Sequence, residues 1–434
     1  MNHDGLDRGD TCEVVVEKAI YRGLGLARHQ GQVVLVRRGL PGDRARVRVE
    51  KAGRGFVEAG IDAVLAAAPR RSSPCPLFAR CGGCAYQDVD YARQLELKQA
   101  ILRESLLRAG APWEGDIELH ASPESGWRTR ATLHLGPLPD GGTGLGLHQP
   151  GSHRLVDLSV CEQLTPLLQR TQRALLDGLR DHPHRARVQH IHLAQGLAED
   201  GVVAVLDGDL DPPSAASFAS LGRSVPWLSG LGAVCSRGPF VSLNGSPYVH
   251  STVLGHRFRV HARAFFQGNG FLVEELARTV SELLPAGGTV LDLYAGVGLF
   301  SLTQAPHAEA VVAVEGNAHA AADALANARS AGLSHVQVRR GELLESLRRI
   351  PARTEERIVL DPPRTGAGPR VVEAIVRRGP AAVVYVSCDP PTLGRDLVLF
   401  GRAGLVPDSV HVFDLFPDTF HLETVVRLTA RSGL

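Results

Sequence analysis

Apolar residues at alternate positions between residues 11 and 66 predict several short strands. The segments CEVVVEKAI, GQVVLVRR, ARVRVEKAG and GFVEAGIDAV are separated by turns rich in glycine and proline. Short strands at this spacing are typical of a small β-barrel. We therefore predict an N-terminal barrel over residues 9–68.

Beyond the barrel the periodicity changes. Residues 92–109 carry apolar side chains at a 3.6-residue spacing and stop just before Gly110, which predicts a helix. Residues 115–262 alternate short β-like runs with turns, apart from one predicted helix near 166–180. We assign residues 69–91 and 115–262 to a central mixed α+β domain.

From about residue 270, strand and helix patterns alternate. This alternation predicts a mostly parallel sheet with helices on both faces, a Rossmann-like α/β domain. We assign residues 92–114 and 263–434 to it. The predicted strands are 289–293, 310–314, 335–338, 357–360 and 381–387.

Composition narrows the class of protein. The 434 residues allow two to four domains, and 44% hydrophobic residues exclude a wholly disordered chain. The 47 basic and 46 acidic residues give a formal charge of +1, so the chain is not a polycation. No apolar run approaches the roughly 20 residues of a membrane helix, and the polar N-terminus is unlike a secretory signal. We expect a cytoplasmic monomer without a membrane partner.

Charge is concentrated locally in the predicted barrel. Between Lys18 and Arg54 there are ten basic residues and two acidic ones. Such a one-signed patch is well suited to RNA phosphates. The alternative is an ordinary solvated strand face.

Three of the seven cysteines lie within ten residues, as Cys75-x5-Cys81-x2-Cys84, and Cys161 is a distant fourth. Four thiolates suit a structural zinc ion or an iron–sulfur cluster. The paired C-x2-C motifs of a zinc ribbon are absent, and the spacing favours the cluster over zinc.

A glycine-containing turn, Asp292-Leu-Tyr-Ala-Gly-Val-Gly298, follows a predicted strand and precedes a helix. The next strand ends beside Glu315, 19 residues beyond Gly296, where an acidic side chain can accept the hydroxyls of a ribose. The third glycine of the dinucleotide motif is replaced by Ser301. S-adenosylmethionine therefore fits this turn better than NAD.

Three further polar residues occur at the ends of predicted strands. Asp361 begins the stiff segment DPPR, and Cys388 lies in SCDPPT after the next strand. The carboxyl ends of parallel strands are where α/β proteins bind ligands. We interpret Cys388 as a nucleophile whose pKa is lowered by the helix that begins near Thr392, and Glu423 as its partner base.

Together these motifs resemble the RNA uracil-5-methyltransferases, which make 5-methyluridine with S-adenosylmethionine. The resemblance covers nearly the whole chain. Its most specific motifs are SCDPPTLGRD (387–396) and HLETV (421–425). The barrel resembles a TRAM domain, and its combination with the cysteine site resembles the 23S ribosomal RNA branch more than the transfer RNA branch. The motifs are CPLFARCGGCAYQ (75–87), AFFQGN (264–269), DLYAGVG (292–298), DPPRTG (361–366), SCDPPTLGRD (387–396) and HLETV (421–425).

The resemblance implies a role for each matched residue. Cys388 is the nucleophile and Glu423 the general base. Asp389 stands where the family often has Asn, and its charge would raise the pKa of the thiol. The residues implied for S-adenosylmethionine are Gln267, Tyr294, Glu315 and Asp361, with Glu342 as a looser match. The residues implied for a [4Fe–4S] cluster are Cys75, Cys81, Cys84 and Cys161.

Two other classes of protein remain possible from the sequence. An amino-methyltransferase shares the glycine turn and the proline loop but does not need Cys388 or Glu423. An RNA-binding protein without catalysis would bind RNA in a salt-dependent way and transfer no methyl group.

Overall fold

The computed structural model describes residues 5–197, 201–236 and 240–431. Its N-terminal part is a closed barrel of five strands in the order β1-β2-β3-β5-β4, as predicted. One barrel strand was not predicted, because its glycines resemble a turn. Gly25 in that strand is required by packing, since a Cβ there would lie 2.6 Å from the carbonyl oxygen of Gly39. The strands are β1 (Thr11–Ile20), β2 (Leu24–His29), β3 (Gln32–Arg37), β4 (Arg44–Gly53) and β5 (Phe56–Ala66).

The barrel leads through the cysteine segment into helix α1 (Tyr91–Ala109) and strand β6 (Glu118–His120). A seven-stranded sheet follows, in the order β13-β12-β11-β10-β7-β8-β9, with a hydrophobic core of its own beneath α2 to α4. The elements are β7 (Arg130–Pro137), β8 (Thr143–His148), β9 (Leu155–Asp157), α2 (Pro166–Leu179), β10 (Val188–Gln195), β11 (Val202–Gly208), α3 (Pro212–Ala216), α4 (Ala219–Ser224), β12 (Leu228–Val234) and β13 (Phe240–Gly245).

The C-terminal part begins with a hairpin and continues as alternating helices and strands. Its elements are β14 (Tyr248–Val253), β15 (His256–His261), α5 (Val273–Glu282), β16 (Thr289–Leu293), α6 (Leu299–Gln304), β17 (Ala310–Glu315), α7 (Ala318–Ser330), β18 (Val336–Arg340), α8 (Leu343–Arg349), β19 (Arg357–Leu360), α9 (Pro369–Val376), β20 (Ala382–Ser387), α10 (Pro390–Arg402), β21 (Leu405–Phe413) and β22 (Glu423–Ala430).

These strands form an eight-stranded sheet in the order β18-β17-β16-β19-β20-β22-β21-β6. Strands β16 to β20 are parallel, and β22 and β21 are antiparallel additions. The two faces of the sheet contribute to two separate hydrophobic cores. The predicted mostly parallel α/β domain is therefore confirmed. Among the described residues, none of the helices combines the length and hydrophobicity needed to cross a membrane.

The structure places two segments differently from the predicted domain boundaries. Strand β6, assigned to the central segment 115–262, instead pairs with β21 and covers the edge of the eight-stranded sheet. The β14–β15 hairpin also joins this part, because Phe258 and Val260 pack in the same core as Leu276 of α5. The predicted segments also include residues 198–200, 237–239 and 432–434, which lie outside the described residues.

Helix α1 packs against α10 and shares a hydrophobic core with the eight-stranded sheet. Leu97, Ile101 and Leu102 supply the expected apolar face. The same face also buries Gln94 and Lys98, both with no exposed surface. These polar residues hold the loop between β21 and β22, as described below.

Candidate active site

The predicted nucleophile and the predicted base lie at the adjoining ends of two neighbouring strands of the eight-stranded sheet. Cys388 directly follows β20, and Glu423 is the first residue of β22. These strands pair antiparallel, with Ser387 opposite Thr424, so the two residues are close. Asp361 follows β19, the neighbour of β20 on its other side. The carboxyl ends of β19 and β20 thus bring together three residues that the sequence singled out.

The site is electrostatically unfavourable for a free thiolate. Burial, followed by the charge of Glu423, raises the pKa of Cys388 to about 12. Burial and the charge of Asp361 also hold the pKa of the Glu423 carboxyl well above its usual value. The charge of Arg364 lowers the pKa of Cys388 and that of Glu423. It therefore favours the thiolate of Cys388 and the carboxylate of Glu423.

The expected lowering of the Cys388 pKa by helix α10 is wrong, because burial and nearby carboxylates raise this pKa instead. Asp389 is the N-cap of that helix and accepts a hydrogen bond from the backbone N–H of Thr392 at 3.0 Å. A carboxylate therefore already occupies the positive end of the helix. The charge of Asp389 contributes to the raised pKa of the thiol, as its position in the sequence suggested.

We expect alkylation of Cys388 by iodoacetamide to accelerate steadily from pH 7 to pH 10. Only the thiolate reacts, and its fraction rises about tenfold per pH unit below a pKa near 12. Mass spectrometry of the peptide that contains Cys388 measures this rate without interference from other cysteines. A plateau near pH 7 would show that the thiol ionises far more easily than its surroundings indicate.

The glycine turn presents open backbone next to a group of carboxylates. Tyr294 adopts a positive φ of 64°, and a Cβ built on Gly296 would meet nothing within 4 Å. The carboxylate of Glu315 accepts hydrogen bonds from the backbone N–H groups of Gly296 at 2.8 Å and Asn317 at 2.6 Å. This orients Glu315 at the end of β17, where the sequence predicted an adenosine-binding carboxylate.

Negative charge accumulates around this turn. Burial and the neighbouring carboxylates raise the pKa of Asp361 to about 8, and burial raises that of Asp292 to about 7. Ser301, which replaces the third glycine of the dinucleotide motif, donates a hydrogen bond to Asp292. The charge of Glu315 raises both pKa values. A cationic ligand would relieve this repulsion.

The positions of the other predicted cofactor residues give less direct support for cofactor binding. Gln267 is buried shortly after β15, and Tyr294 is half-buried in the glycine turn. Glu342 caps α8 by accepting a hydrogen bond from the N–H of Glu345, and its charge raises the pKa of Tyr294. Glu342 is thus close enough to Tyr294 to face the same turn.

The four predicted cluster cysteines line one pocket between the segment 75–84 and the central sheet. Burial, first of all, raises the pKa of Cys81, Cys84 and Cys161, and each of the three is raised further by the charge of at least one other cysteine. These mutual charge effects show that the sulfur atoms lie near one another, and a bound metal cation would offset the repulsion between their thiolates.

The spacing of the sulfur atoms favours a cluster over a single zinc ion in this pocket. Four thiolates bound to one zinc lie about 3.8 Å apart, from Zn–S bonds of about 2.3 Å. In the described part of the chain, the one group of three ligand atoms within 4.8 Å of each other contains no cysteine. The guanidinium of Arg128 also lines the pocket, and its Nε is buried without a hydrogen-bond partner. A buried cation suits either centre, because four thiolates give both of them a net negative charge.

Asp418 connects the cysteine segment to the loop that leads to Glu423. Its carboxylate accepts hydrogen bonds from the side-chain amides of Gln94 at 2.8 Å and Gln163 at 2.7 Å. Its backbone oxygen accepts from the N–H groups of Ala85 and Tyr86, directly after Cys84. The conformation of this loop is therefore held by contacts with both of the segments that carry the four cysteines.

The barrel also reaches the reaction site, which the sequence did not indicate. The hydroxyl of Tyr21 donates to the backbone oxygen of Cys388 at 3.1 Å, and its ring packs edge-on against Phe420. Arg38 donates to the backbone oxygens of Cys81 at 2.8 Å and Cys84 at 3.3 Å. Local sequence offers no signal for Tyr21 or Asp418, whereas Arg364 lies within the quoted DPPR motif.

The net positive charge of the whole barrel is smaller than that of the segment 18–54 alone. Residues 9–68 contain ten basic and seven acidic residues, a net charge of +3. Most of its cations pair with acidic residues on neighbouring strands or on α1. Exposed pairs of this kind contribute at most about 1 kcal/mol each, so phosphates can compete for them. The paired cations are Lys18, Arg28, Arg37, Arg44, Arg46, Arg48 and Lys51.

The fold and this site define an α/β methyltransferase with an additional barrel and a cysteine-bearing domain. Two family models match the chain: the TRAM domain over residues 6–61 and the tRNA (Uracil-5-)-methyltransferase family over residues 250–431. The second match begins within β14, in agreement with the position of the hairpin in the C-terminal core.

Whole-length relatives extend this result. The chain is 34% identical to the 23S rRNA (uracil(1939)-C(5))-methyltransferase RlmD of Halomonas elongata, over 96% of this chain and 89% of that protein. It is also 34% identical to RlmD of Pectobacterium carotovorum, over 95% and 92%. The chain therefore belongs to the RNA uracil-5-methyltransferase family and is an RNA methyltransferase.

A solved structure shares the whole fold. The tRNA (uracil-54, C5)-methyltransferase of Pyrococcus abyssi, in complex with S-adenosyl-L-homocysteine, superposes with a TM-score of 0.72 at 23% identity. The alignment covers 96% of this chain and 99% of that one. The predicted combination of an N-terminal TRAM barrel with a methyltransferase domain is confirmed.

Proposed function

We propose that this enzyme methylates carbon 5 of a uridine in 23S ribosomal RNA, with S-adenosylmethionine as methyl donor. The observation that carries the proposal is the convergence of Cys388, Glu423 and Asp361 at the ends of three adjacent strands. The similarity to RlmD over nearly the full length supports ribosomal RNA. Transfer RNA is the alternative, because the Pyrococcus enzyme that shares this fold is a tRNA methyltransferase.

The chemistry explains why both reaction residues are needed. Carbon 5 of uracil is a poor nucleophile until the Cys388 sulfur bonds to carbon 6, which places negative charge on carbon 5. When bound, S-adenosylmethionine supplies the methyl group that carbon 5 attacks, with S-adenosylhomocysteine as leaving group. Glu423 then removes the proton from carbon 5, and the bond between carbon 6 and sulfur breaks to release Cys388.

The site must be prepared before this reaction can start. The pKa of Cys388 is raised to about 12, so its thiol must lose a proton to act, and the raised pKa of Glu423 opposes the ionised form that a base requires. Arg364 favours both charged forms, so we assign it to the stabilisation of the ionised site. The half-buried position of Cys388 requires the uridine to leave its stack and enter the pocket, as enzymes that modify bases generally require.

Side-by-side assays test the substrate. Labelled S-adenosylmethionine is supplied with unmodified 23S ribosomal RNA or unmodified transfer RNA, and the product nucleoside is identified. We expect 5-methyluridine in ribosomal RNA alone; a fragment containing position 1939, for which the relatives are named, is the first to test. Product in transfer RNA alone would overturn the substrate assignment but keep the chemistry. Light scattering of the same preparation tests the expected monomer.

We propose that Gln267, Tyr294, Glu315 and Asp361 bind S-adenosylmethionine. The open backbone at Gly296 and the surplus of carboxylates support this, since the cofactor carries a positive sulfonium. A protonated Asp361 would bind that cation less well.

We therefore expect S-adenosylmethionine to bind more tightly as the pH rises from 6 to 8. The folded-state pKa of Asp361 is raised to about 8, so its carboxylate forms across this range and gains the attraction of the sulfonium. Isothermal titration calorimetry in buffers of different ionisation enthalpy counts the protons released on binding.

S-adenosylhomocysteine is the matched ligand, because it has the same amino and carboxyl groups but no sulfonium. Its affinity should rise less with pH, and Asp361→Asn should reduce the difference between the two ligands. Equal pH dependence for both ligands would contradict a role for Asp361 toward the sulfonium.

We also propose that Cys75, Cys81, Cys84 and Cys161 hold a [4Fe–4S] cluster with a folding or RNA-docking role. Through Asp418, this site orders the loop that leads to Glu423. Such a cluster need not take part in electron transfer.

Anaerobic purification should yield protein with about four iron and four sulfide per chain, the content of the proposed cluster. Cys84→Ser should lose this content and lower the melting temperature, whereas Cys235→Ser, at a buried cysteine outside the pocket, should keep the iron. Zinc without iron in the wild-type protein would contradict the cluster.

A further inference from the structure

Three side chains of the types that bind metal ions lie close together at the β6 edge of the eight-stranded sheet. They are separate from the loops that carry Cys388 and Asp361. Glu118 and His120 lie two residues apart on β6 and so share one face, and His411 of β21 pairs with Glu118 in register. His120 Nε2 lies 3.2 Å from His411 Nδ1. Glu118 Oε2 lies 3.4 Å from His411 Nδ1, and Glu118 Oε1 lies 3.7 Å from His120 Nε2.

These separations match the geometry of a metal centre. Histidine nitrogens and carboxylate oxygens bind zinc at about 2.0–2.2 Å, so tetrahedral ligands lie about 3.3–3.6 Å apart. Two of the ligands are buried, and Glu118 is largely exposed, which opens the site to solvent. Three protein ligands leave a fourth position for water.

The outer nitrogens of both imidazoles have partners that orient the rings. His120 Nδ1 lies 2.7 Å from Glu275 of α5. An ionised carboxylate only accepts hydrogen bonds, so Nδ1 carries the proton and the Nε2 lone pair points inward. His411 Nε2 lies 2.9 Å from the hydroxyl of Ser409. If that hydroxyl accepts, the Nδ1 lone pair of His411 points inward too.

In that arrangement two lone pairs and a carboxylate face one another, and a cation between them would satisfy all three. We propose that Glu118, His120 and His411 bind a divalent transition-metal ion such as Zn²⁺. Two imidazole ligands favour this class of ion over Mg²⁺ or Ca²⁺, which prefer oxygen. Glu275 completes the carboxylate–histidine–metal arrangement that tunes many such centres.

The ion fastens the short edge strand to the catalytic sheet. Strand β6 has three residues, so its backbone pairing alone holds it weakly. The His120 ring stacks on Phe413 with centroids 3.9 Å apart, and Phe413 pairs with Glu423 across β21 and β22. The proposed centre therefore supports the strand next to the one that carries the catalytic base.

Titration of the full-length protein with Co²⁺ and Zn²⁺, after removal of metals by dialysis, tests the proposal. Cobalt bound by thiolates shows a sulfur-to-metal charge-transfer band that histidine and carboxylate ligands do not give, so the cysteine pocket is distinguished. We expect the wild-type protein to bind one equivalent of metal more than Glu118→Gln or His120→Asn does. This additional cobalt ion should not give the charge-transfer band. Because Glu118 is exposed, its variant should fold even where His120→Asn does not.

Variants of α5 provide the matched comparison. Glu275→Gln should weaken binding at this site about 10- to 100-fold, as expected for a lost partner of a ligating histidine. Glu274→Gln, the same change at the adjacent residue, which pairs with Arg278 at 3.0 Å, should leave it unchanged. Equal stoichiometry and affinity in all these proteins would overturn the proposal, and would leave a metal-free hydrogen-bonded chain in which Ser409 donates to His411.

Discussion

Cys388→Ala is expected to lower the rate of methyl transfer by about 10⁴-fold or more. In the proposed mechanism the side chain supplies the sulfur that activates carbon 5, and the described residues at the ends of β19, β20 and β22 offer no second thiol. S-adenosylmethionine should still bind, because its proposed ligands lie in other loops. Single-turnover transfer of a labelled methyl group to RNA measures the loss.

Cys235→Ala is the matched control, because it removes a buried thiol of the central sheet without approaching the site. Its rate should stay near that of the wild-type protein. Substantial RNA methylation by Cys388→Ala would contradict covalent catalysis and would favour an amino-methyltransferase mechanism instead.

Glu423→Gln separates the second half of the reaction from the first. Without a base for the proton on carbon 5, the bond between sulfur and carbon 6 should persist after methyl transfer. A protein–RNA adduct should then appear on a denaturing gel, and the double variant with Cys388→Ala should not form it. A slow variant without any adduct would remove Glu423 from the elimination step.

Lys98→Met is expected to destabilise the protein by about 3–5 kcal/mol. Lys98 and Asp414 are both fully buried, their Nζ and Oδ1 atoms lie 2.5 Å apart, and Lys98 also donates to the backbone oxygen of Phe416 at 2.9 Å. Removal of the lysine leaves an unpaired carboxylate inside the core. Urea unfolding followed by circular dichroism measures the change in the free energy of unfolding.

Arg93→Met on the same helix is the control, because Arg93 makes an exposed ion pair with Glu96. Its effect should stay within about 0.5 kcal/mol. The double variant Lys98→Met/Asp414→Leu should recover much of the stability, since no buried charge remains unpaired. A small effect of Lys98→Met alone would show that the buried pair does not stabilise this interface.

The buried pair and the Asp418 network act on the same loop. Lys98 holds Asp414 and Phe416 at its start, and Gln94 and Gln163 hold Asp418 in its middle. Glu423 follows directly as the first residue of β22. The cysteine segment and helix α1 therefore both help to position Glu423, the proposed base, although neither contributes an atom to the proposed reaction.

Local sequence determined the elements and the chemistry of this protein. Alternating apolar residues specified four of the five barrel strands, and mostly apolar runs specified the parallel strands, with the same bounds in the structure for Thr289–Leu293 and Arg357–Leu360. Residues at strand ends identified Asp361 and Cys388, because the topology of a parallel sheet fixes which ends meet. The functional role of Glu423 came from the resemblance to a family, since a single acidic residue on a strand carries no such signal.

Tertiary structure alone decided how the domains are joined and how the site is charged. Tyr21, Gln94 and Lys98 lie hundreds of residues from their partners, and long-range contacts of this kind leave no local pattern. The lowering of the Cys388 pKa expected from the helix terminus was wrong, because burial and the charge of Glu423, which raise this pKa, are not visible in the sequence. The histidine–carboxylate cluster likewise required the pairing of β6 with β21, which brings together residues 291 positions apart.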